Sequence, residues 1–126
     1  MKRVLVTGAT GGLGQNAIDA LIGTGIGVRA TGRNLAIGER LSCKGAQFVA
    51  LDLATAAPEQ MASLVDGMDS VWHCAALSAP WGRMAEFVAA NVTATERLVN
   101  AAGRAGVRHF VHISTPAIHL DRKSVV

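Results

Sequence analysis

The chain has 126 residues, of which 50% are hydrophobic and 17% are charged, and its formal net charge is +3. This length is typical of one domain with a buried core, and the apolar content excludes a disordered, highly solvated chain. The lysines and arginines are dispersed, without the basic run or interleaved aromatic residues that nucleic-acid binding favours. We therefore predict a globular domain with no nucleic-acid partner.

No segment predicts export or membrane insertion. Met1-Lys2-Arg3 is followed by only a short apolar stretch before Thr7 and Gly8, and no window approaches the ~18 apolar residues of a membrane-spanning helix. Cys43 and Cys74 stand in no CxxC or Cys/His ligand spacing, which argues against a disulfide framework or a metal site. We expect a cytoplasmic protein with reduced cysteines, no membrane partner and no metal.

The spacing of apolar residues predicts strands that alternate with helices. In chain order the predicted strands cover 4–6, 26–31, 46–51, 70–74 and 107–113, and the predicted helices cover 13–22, 35–41, 58–65 and 84–102. A helical crossover returns the chain in the direction of the previous strand, so the strands should be parallel. The predicted fold class is α/β, a doubly wound parallel sheet of about five strands between two helical layers.

A glycine-rich segment, TGATGGLG at 7–14, joins the first predicted strand to the first predicted helix. Gly8 permits a tight turn, Gly11 lets the backbone approach a pyrophosphate, and Gly14 allows close packing of the helix on the strand. The helix N-terminus then presents N–H groups and a positive dipole end to phosphates. Dinucleotide binding is favoured over a ligand-free glycine turn, and the predicted binding residues are Gly8, Thr10, Gly11, Gly12, Leu13 and Gly14.

The end of the second predicted strand bears on the choice of cofactor. An acidic residue there accepts hydrogen bonds from the adenosine ribose of NAD, whereas an arginine accommodates the 2′-phosphate of NADP. Gly32 occupies the position expected to be acidic, and Arg33 follows it. This arrangement favours NADP, although a merely solvated Arg33 is also compatible with NAD.

With these motifs the chain resembles the extended short-chain dehydrogenases/reductases, which include nucleotide-sugar epimerases, dehydratases and 3β-hydroxysteroid dehydrogenases. The later segments VWHCAA at 71–76 and NVTAT at 91–95 are similar to the family's fourth-strand segment and its Asn-Val-x-Gly-Thr helix signature, with Ala94 in place of glycine. The resemblance covers residues 2 to about 120 and implies a Rossmann fold. It adds five residues to the implied cofactor site: Asp52 and Leu53, which resemble the family's adenine-contacting pair, and Ala75, Ala76 and Asn91.

The segment VRHFVHIST at 107–115 resembles the family's fifth strand, which delivers a catalytic hydroxyl to a small-molecule substrate. The resemblance implies Thr115, with Ser114 adjacent, as the catalytic residue. The family's Tyr-x-x-x-Lys pair is absent, since the chain contains no tyrosine. His119 and Lys123 lie four residues apart, but they follow the fifth strand too soon to match that motif.

Some of these residues have a plainer interpretation. Asp52 can cap the turn that follows it rather than contact adenine, and His73 can be a hydrogen-bonded histidine at a strand end. The spacing of His109, His112 and His119 does not place them on one helical face, so no metal site is predicted.

The last strands and the substrate lobe of the family are also missing, so we expect a truncated chain. Residues 1–120 form the predicted NAD(P)-binding domain and residues 121–126 a tail. An exposed fifth strand predicts marginal stability or self-association, which is compatible with a homo-oligomer. Three functions stay open: half of an oxidoreductase or epimerase, a non-catalytic dinucleotide-binding or redox-sensing module, and a nonfunctional fragment.

Overall fold

The computed structural model describes the backbone of residues 2–77 and 84–116, and the side chains within 2–74 and 92–113. The elements in chain order are β1 (Arg3–Thr7), α1 (Gly12–Gly23), β2 (Gly27–Gly32), α2 (Leu35–Cys43), β3 (Gln47–Ala50), α3 (Pro58–Val65), β4 (Ser70–Leu77), α4 (Met84–Ala105) and β5 (His109–Pro116). The predicted order and type of these elements are confirmed.

The sheet has five parallel strands in the order β3-β2-β1-β4-β5. The chain first builds outward from β1 to β3 and then crosses back to place β4 on the other side of β1. The strand order therefore reverses between β1 and β4. In sheets of this kind, ligands bind outside the carboxyl ends of the strands at that reversal.

The helices cover the two faces of the sheet in separate layers. Val4 and Val6 of β1 share one core with residues of α1 and α2, whereas Leu5 shares the other core with residues of α3 and α4. Successive strand residues point to opposite faces, so a strand covered on both faces has apolar residues at successive positions. Leu5 and Val6 are fully buried, which confirms the predicted sheet between two helical layers.

Several elements run further than the apolar pattern predicted. β4 and β5 remain paired out to Leu77 and Pro116, because backbone hydrogen bonding continues beyond the apolar residues. α4 ends at Ala105, followed by Gly106 with a φ of +79°. A left-handed glycine directly after a helix is a common C-terminal stop, and it fixes this helix end.

Candidate functional site

The glycine-rich loop lies at the carboxyl end of β1, against the neighbouring strand β4. Gly8 has a φ of +61°, and a Cβ atom added there would lie 2.0 Å from the carbonyl oxygen of Cys74. Both the backbone conformation and the close approach require glycine. The predicted tight turn at Gly8 is confirmed, and it sets the loop at the point where the strand order reverses.

Gly14 brings the first turn of α1 onto this loop. A Cβ atom at Gly14 would lie 2.3 Å from the carbonyl oxygen of Gly8 and 2.7 Å from the Cα atom of Ala9. The close contact that the sequence predicted between helix and strand is therefore made with the loop that follows the strand.

The remaining glycines of the loop leave its outer surface open. A Cβ atom at Gly11 would meet only the Gly8 carbonyl oxygen, at 3.6 Å, and one at Gly12 would meet nothing within 4 Å. Leu13 beside them is 38% exposed. In the described part of the chain no side chain caps α1, and its first turn has no acidic residue. Its N–H groups are thus accessible to an anion, and the helix dipole favours one there.

Hydrogen bonds hold the loop to its surroundings on both sides of Thr10. The Ala9 N–H donates to the carbonyl oxygen of Thr31 at the end of β2, over 3.0 Å. The Gln15 side-chain amide donates to the carbonyl oxygen of Thr10, also over 3.0 Å. The loop is therefore fixed to both β2 and α1.

Arg33 and Asp52 follow the ends of β2 and β3 and lie beside each other. Arg33 Nη1 is 4.0 Å from Asp52 Oδ2, and the side chains are 78% and 40% exposed. Exposed pairs of this kind contribute little free energy, so the Arg33 guanidinium is available to another anion. Asp52 Oδ1 accepts a hydrogen bond from the Ala54 N–H over 3.0 Å, so Asp52 caps the turn that follows it. Its contact with adenine stays a prediction. Leu53 packs against the core beneath α3 and α4.

His73 is a buried, hydrogen-bonded histidine, and this plainer interpretation is confirmed. Its Nδ1 lies 2.5 Å from Thr7 Oγ1, and its Nε2 lies 2.9 Å from Thr95 Oγ1. Burial, together with the nearby His112, lowers the pKa of His73 to about 4, so the ring is neutral near pH 7. The ring connects β4 to the end of β1 and to α4.

Reasoning from the sequence missed Thr7 and Thr95 as partners of this histidine. Thr7 stands opposite His73 in the register of β1 and β4, so a strand alignment would have suggested that contact. Thr95 belongs to the NVTAT segment, which gave only a family signature.

The predicted residues at the ends of β4 and β5 are placed only by their backbone. Ala75 pairs with Ser114 and Ala76 with Thr115, next to each other at the carboxyl side of the sheet. The side chains of Ala75, Ala76, Asn91, Ser114 and Thr115 lie outside the described residues, as do His119, Lys123 and the predicted tail at 121–126.

Among the residues that the structure describes, no group of histidine, cysteine and acidic side chains is arranged to hold a metal ion. Within the same residues no helix is long and apolar enough to cross a membrane.

Comparison with known proteins gives this arrangement a family. The model of the NAD dependent epimerase/dehydratase family matches residues 4–121. The chain is 49% identical over 119 residues to an uncharacterized Escherichia coli protein, YbjS, covering 94% of this chain and 35% of that protein. It is 36% identical to a Stigmatella aurantiaca ketoreductase, 4-hydroxy-2-methyl-3-oxo-4-farnesyl-3,4-dihydroquinoline-1-oxide ketoreductase, covering 98% of this chain and 36% of that enzyme.

Among solved structures, the chain is similar to UDP-glucose-4-epimerase from Stenotrophomonas maltophila, which has bound NAD and formylated UDP-arabinopyranose. The TM-score is 0.77 at 27% identity, covering 91% of this chain and 37% of that one. The chain thus spans about a third of the length of the relatives it matches. The glycine loop, the parallel sheet and the family match over residues 4–121 agree, and the chain belongs to the NAD dependent epimerase/dehydratase family.

Proposed function

We propose that this chain is the dinucleotide-binding half of an NAD(P)-dependent oxidoreductase or epimerase, and that it prefers NADP. One observation carries the proposal: the glycine loop lies at the reversal of strand order, and the open N-terminus of α1 follows it. A pyrophosphate fits this place, because uncapped N–H groups and the helix dipole both favour a negative charge. The glycines at 8, 11, 12 and 14, with Thr10 and Leu13, surround it.

The preference for NADP rests on the ends of β2 and β3. Gly32 offers no carboxylate to the adenosine ribose, and the exposed guanidinium of Arg33 can pair with a 2′-phosphate in a bidentate manner. In the same proposal, Asp52 and Leu53 lie toward the adenine, and Ala75, Ala76 and Asn91 lie toward the ribose and nicotinamide.

The reaction that we propose for the whole protein interconverts a carbonyl and an alcohol of a small molecule. When bound, the nicotinamide would supply or accept the hydride. Thr115, with Ser114 beside it, would hydrogen-bond the substrate oxygen from the carboxyl end of β5. The names of two relatives, a ketoreductase and a nucleotide-sugar epimerase, support this substrate class. A cytoplasmic location belongs to the same proposal, and the free thiols of Cys43 and Cys74 support it.

The test is the affinity of the purified chain for NADPH and NADH, measured by calorimetry beside an Arg33→Asp variant. We expect micromolar binding of NADPH that weakens at least about tenfold in the variant, since an ion pair with phosphate is lost and a like charge is introduced. NADH binding should change much less. Arg108→Asp is the matched control, because it changes the net charge equally at the opposite, amino end of the sheet.

Two other outcomes would contradict the proposal. Equal loss of NADPH and NADH binding in Arg33→Asp would contradict the role of Arg33 in cofactor choice. No binding of either nucleotide by the unaltered chain would overturn the proposed function.

A further inference from the structure

The end of β2 and the glycine loop meet at one close contact, between Gly32 and Thr10. A Cβ atom added at Gly32 would lie 2.8 Å from Cγ2 of Thr10, 2.9 Å from its Oγ1 and 3.4 Å from its Cβ. Gly32 does not have the positive φ that restricts a position to glycine. Space alone, rather than backbone conformation, therefore excludes a side chain at this position.

The branched shape of Thr10 makes this exclusion independent of its rotamer. Threonine carries two heavy atoms on Cβ, and both of them face Gly32. Two of the three staggered positions on the Thr10 Cβ atom face Gly32. The Cβ atom carries only one hydrogen, so in every χ1 rotamer at least one of these two positions is occupied by Oγ1 or Cγ2. Rotation of χ1 cannot make room for a Cβ atom at residue 32.

The backbone of Thr10 is also held in place. The preceding Ala9 N–H donates to the Thr31 carbonyl oxygen, and the Thr10 carbonyl oxygen accepts from the Gln15 side chain. Withdrawal of Thr10 would therefore break contacts that attach the loop to β2 and α1. A side chain at position 32 and a branched side chain at position 10 exclude each other.

We propose that Thr10 is a specificity-determining residue of the dinucleotide site, because its branched side chain restricts position 32 to glycine. An acidic side chain at the end of the second strand is the feature by which sites of this fold select the ribose diol of NAD. Thr10 prevents this chain from acquiring that feature by a single substitution. The selectivity that Arg33 provides is thus reinforced by a contact from the glycine loop. This inference rests on the proposed function.

The steric part can be tested without any cofactor. Gly32→Ala is made in three backgrounds, with threonine, valine or alanine at position 10, and the Tm of each protein is measured. We expect Gly32→Ala to lower the Tm by about 5 °C or more beside threonine or valine, and by much less beside alanine. Thr10→Val is the matched control, because it keeps two heavy atoms on Cβ and only replaces the hydroxyl with a methyl group. Equal Tm losses in all three backgrounds would overturn the proposal.

The specificity part uses Gly32→Asp in the same three backgrounds, with the Kd of NADH and NADPH measured for each. We expect Gly32→Asp with Thr10→Ala to bind NADH at least about tenfold more tightly than Gly32→Asp with threonine or valine at position 10. If Gly32→Asp alone binds NADH as tightly as the double variant, Thr10 has no such role and only this inference fails. If the unaltered chain binds neither dinucleotide, the proposed function fails and this inference fails with it.

Discussion

The buried ring of His73 shows how one side chain can restrict the chemistry around it. A neutral imidazole has one N–H donor and one acceptor nitrogen, so one of its two threonine partners donates a hydrogen bond and the other accepts one. Protonation would turn both nitrogens into donors and place a charge where water is excluded. The pKa of His73 is accordingly lowered to about 4, first by burial and then by His112.

This shift predicts a loss of stability in mild acid. An unfolded histidine has a pKa of about 6.5, so its protonation favours the unfolded chain between that pH and the folded pKa of about 4. The stabilisation is complete above pH 6.5 and is lost as the pH falls toward 4. We expect the free energy of unfolding to drop by about 1 kcal/mol between pH 6 and 5, as measured by urea denaturation. In His73→Gln this drop in the free energy of unfolding should largely disappear. An unchanged drop would show that other titratable groups cause it.

The residues of the site differ in how far the sequence could predict them. Gly8 and Gly14 were predicted because the glycine spacing of one short segment, 7–14, between a strand and a helix indicates a tight turn and close packing. The contact of His73 with Thr7 joins residues that are 66 positions apart, and the contact of Gly32 with Thr10 also depends on strand placement. Such contacts can be predicted only when the order of the strands in the sheet is known.

At the level of elements, the carboxyl end of α3 is capped by the side chain of a residue from another part of the chain. The last turn of α3 has no basic residue of its own, but Arg29 of β2 lies beside it. Arg29 Nη1 donates to the carbonyl oxygens of Ser63, Leu64 and Asp66 at 3.2, 2.8 and 3.0 Å. The final carbonyls of a helix have no partners within the helix, so this guanidinium satisfies them from outside.

Removal of this guanidinium should destabilise the junction between β2 and α3. We expect Arg29→Met to lower the free energy of unfolding by about 2 kcal/mol, since charge-assisted hydrogen bonds to carbonyls are lost. The free energy of unfolding of Arg29→Lys should lie between those of the unaltered chain and Arg29→Met, because an ammonium group keeps the charge but lacks the forked donors of a guanidinium. Arg40→Met is the control, since Arg40 is exposed on α2. A loss no larger than that of the control would show that water replaces the guanidinium at these carbonyls.

The existence of each element was predictable because helices and strands bury their apolar residues with different periods. Their ends depend on other interactions. The extension of β4 and β5 depends on the pairing of one strand with the next, and the end of α4 depends on the left-handed conformation of Gly106. Neither feature leaves a periodic pattern in the sequence.

Across the whole molecule, burial declines from the centre of the sheet to its edge. Val6 of β1 is fully buried between two helical layers, whereas Val111 of β5 is 42% exposed at the end of the strand order. Stability should therefore depend mainly on the three inner strands, β2, β1 and β4.

A matched pair of substitutions tests this distribution. Val6→Ala should lower the free energy of unfolding by about 2 kcal/mol, through lost apolar burial and an unfilled cavity. The same substitution at Val111 should cost no more than about half as much, because 42% of this residue's surface remains accessible to water when the chain folds. The two variants remove identical groups, so urea denaturation compares their burial directly. Similar losses would mean that the edge strand contributes as much as the centre.

The attachment of the glycine loop to β1 also affects the order in which parts of the sheet separate when the chain partly unfolds. Edge strands exchange their amide hydrogens through small local fluctuations, whereas a strand paired on both sides exchanges only through much larger ones. β1 is paired with β2 and β4, and the Ala9 N–H, two residues beyond the strand, donates a further hydrogen bond to β2. β3 and β5 can therefore separate from the sheet while the loop keeps its shape. We therefore expect the surface proposed to bind the pyrophosphate to belong to the part of the molecule that opens last.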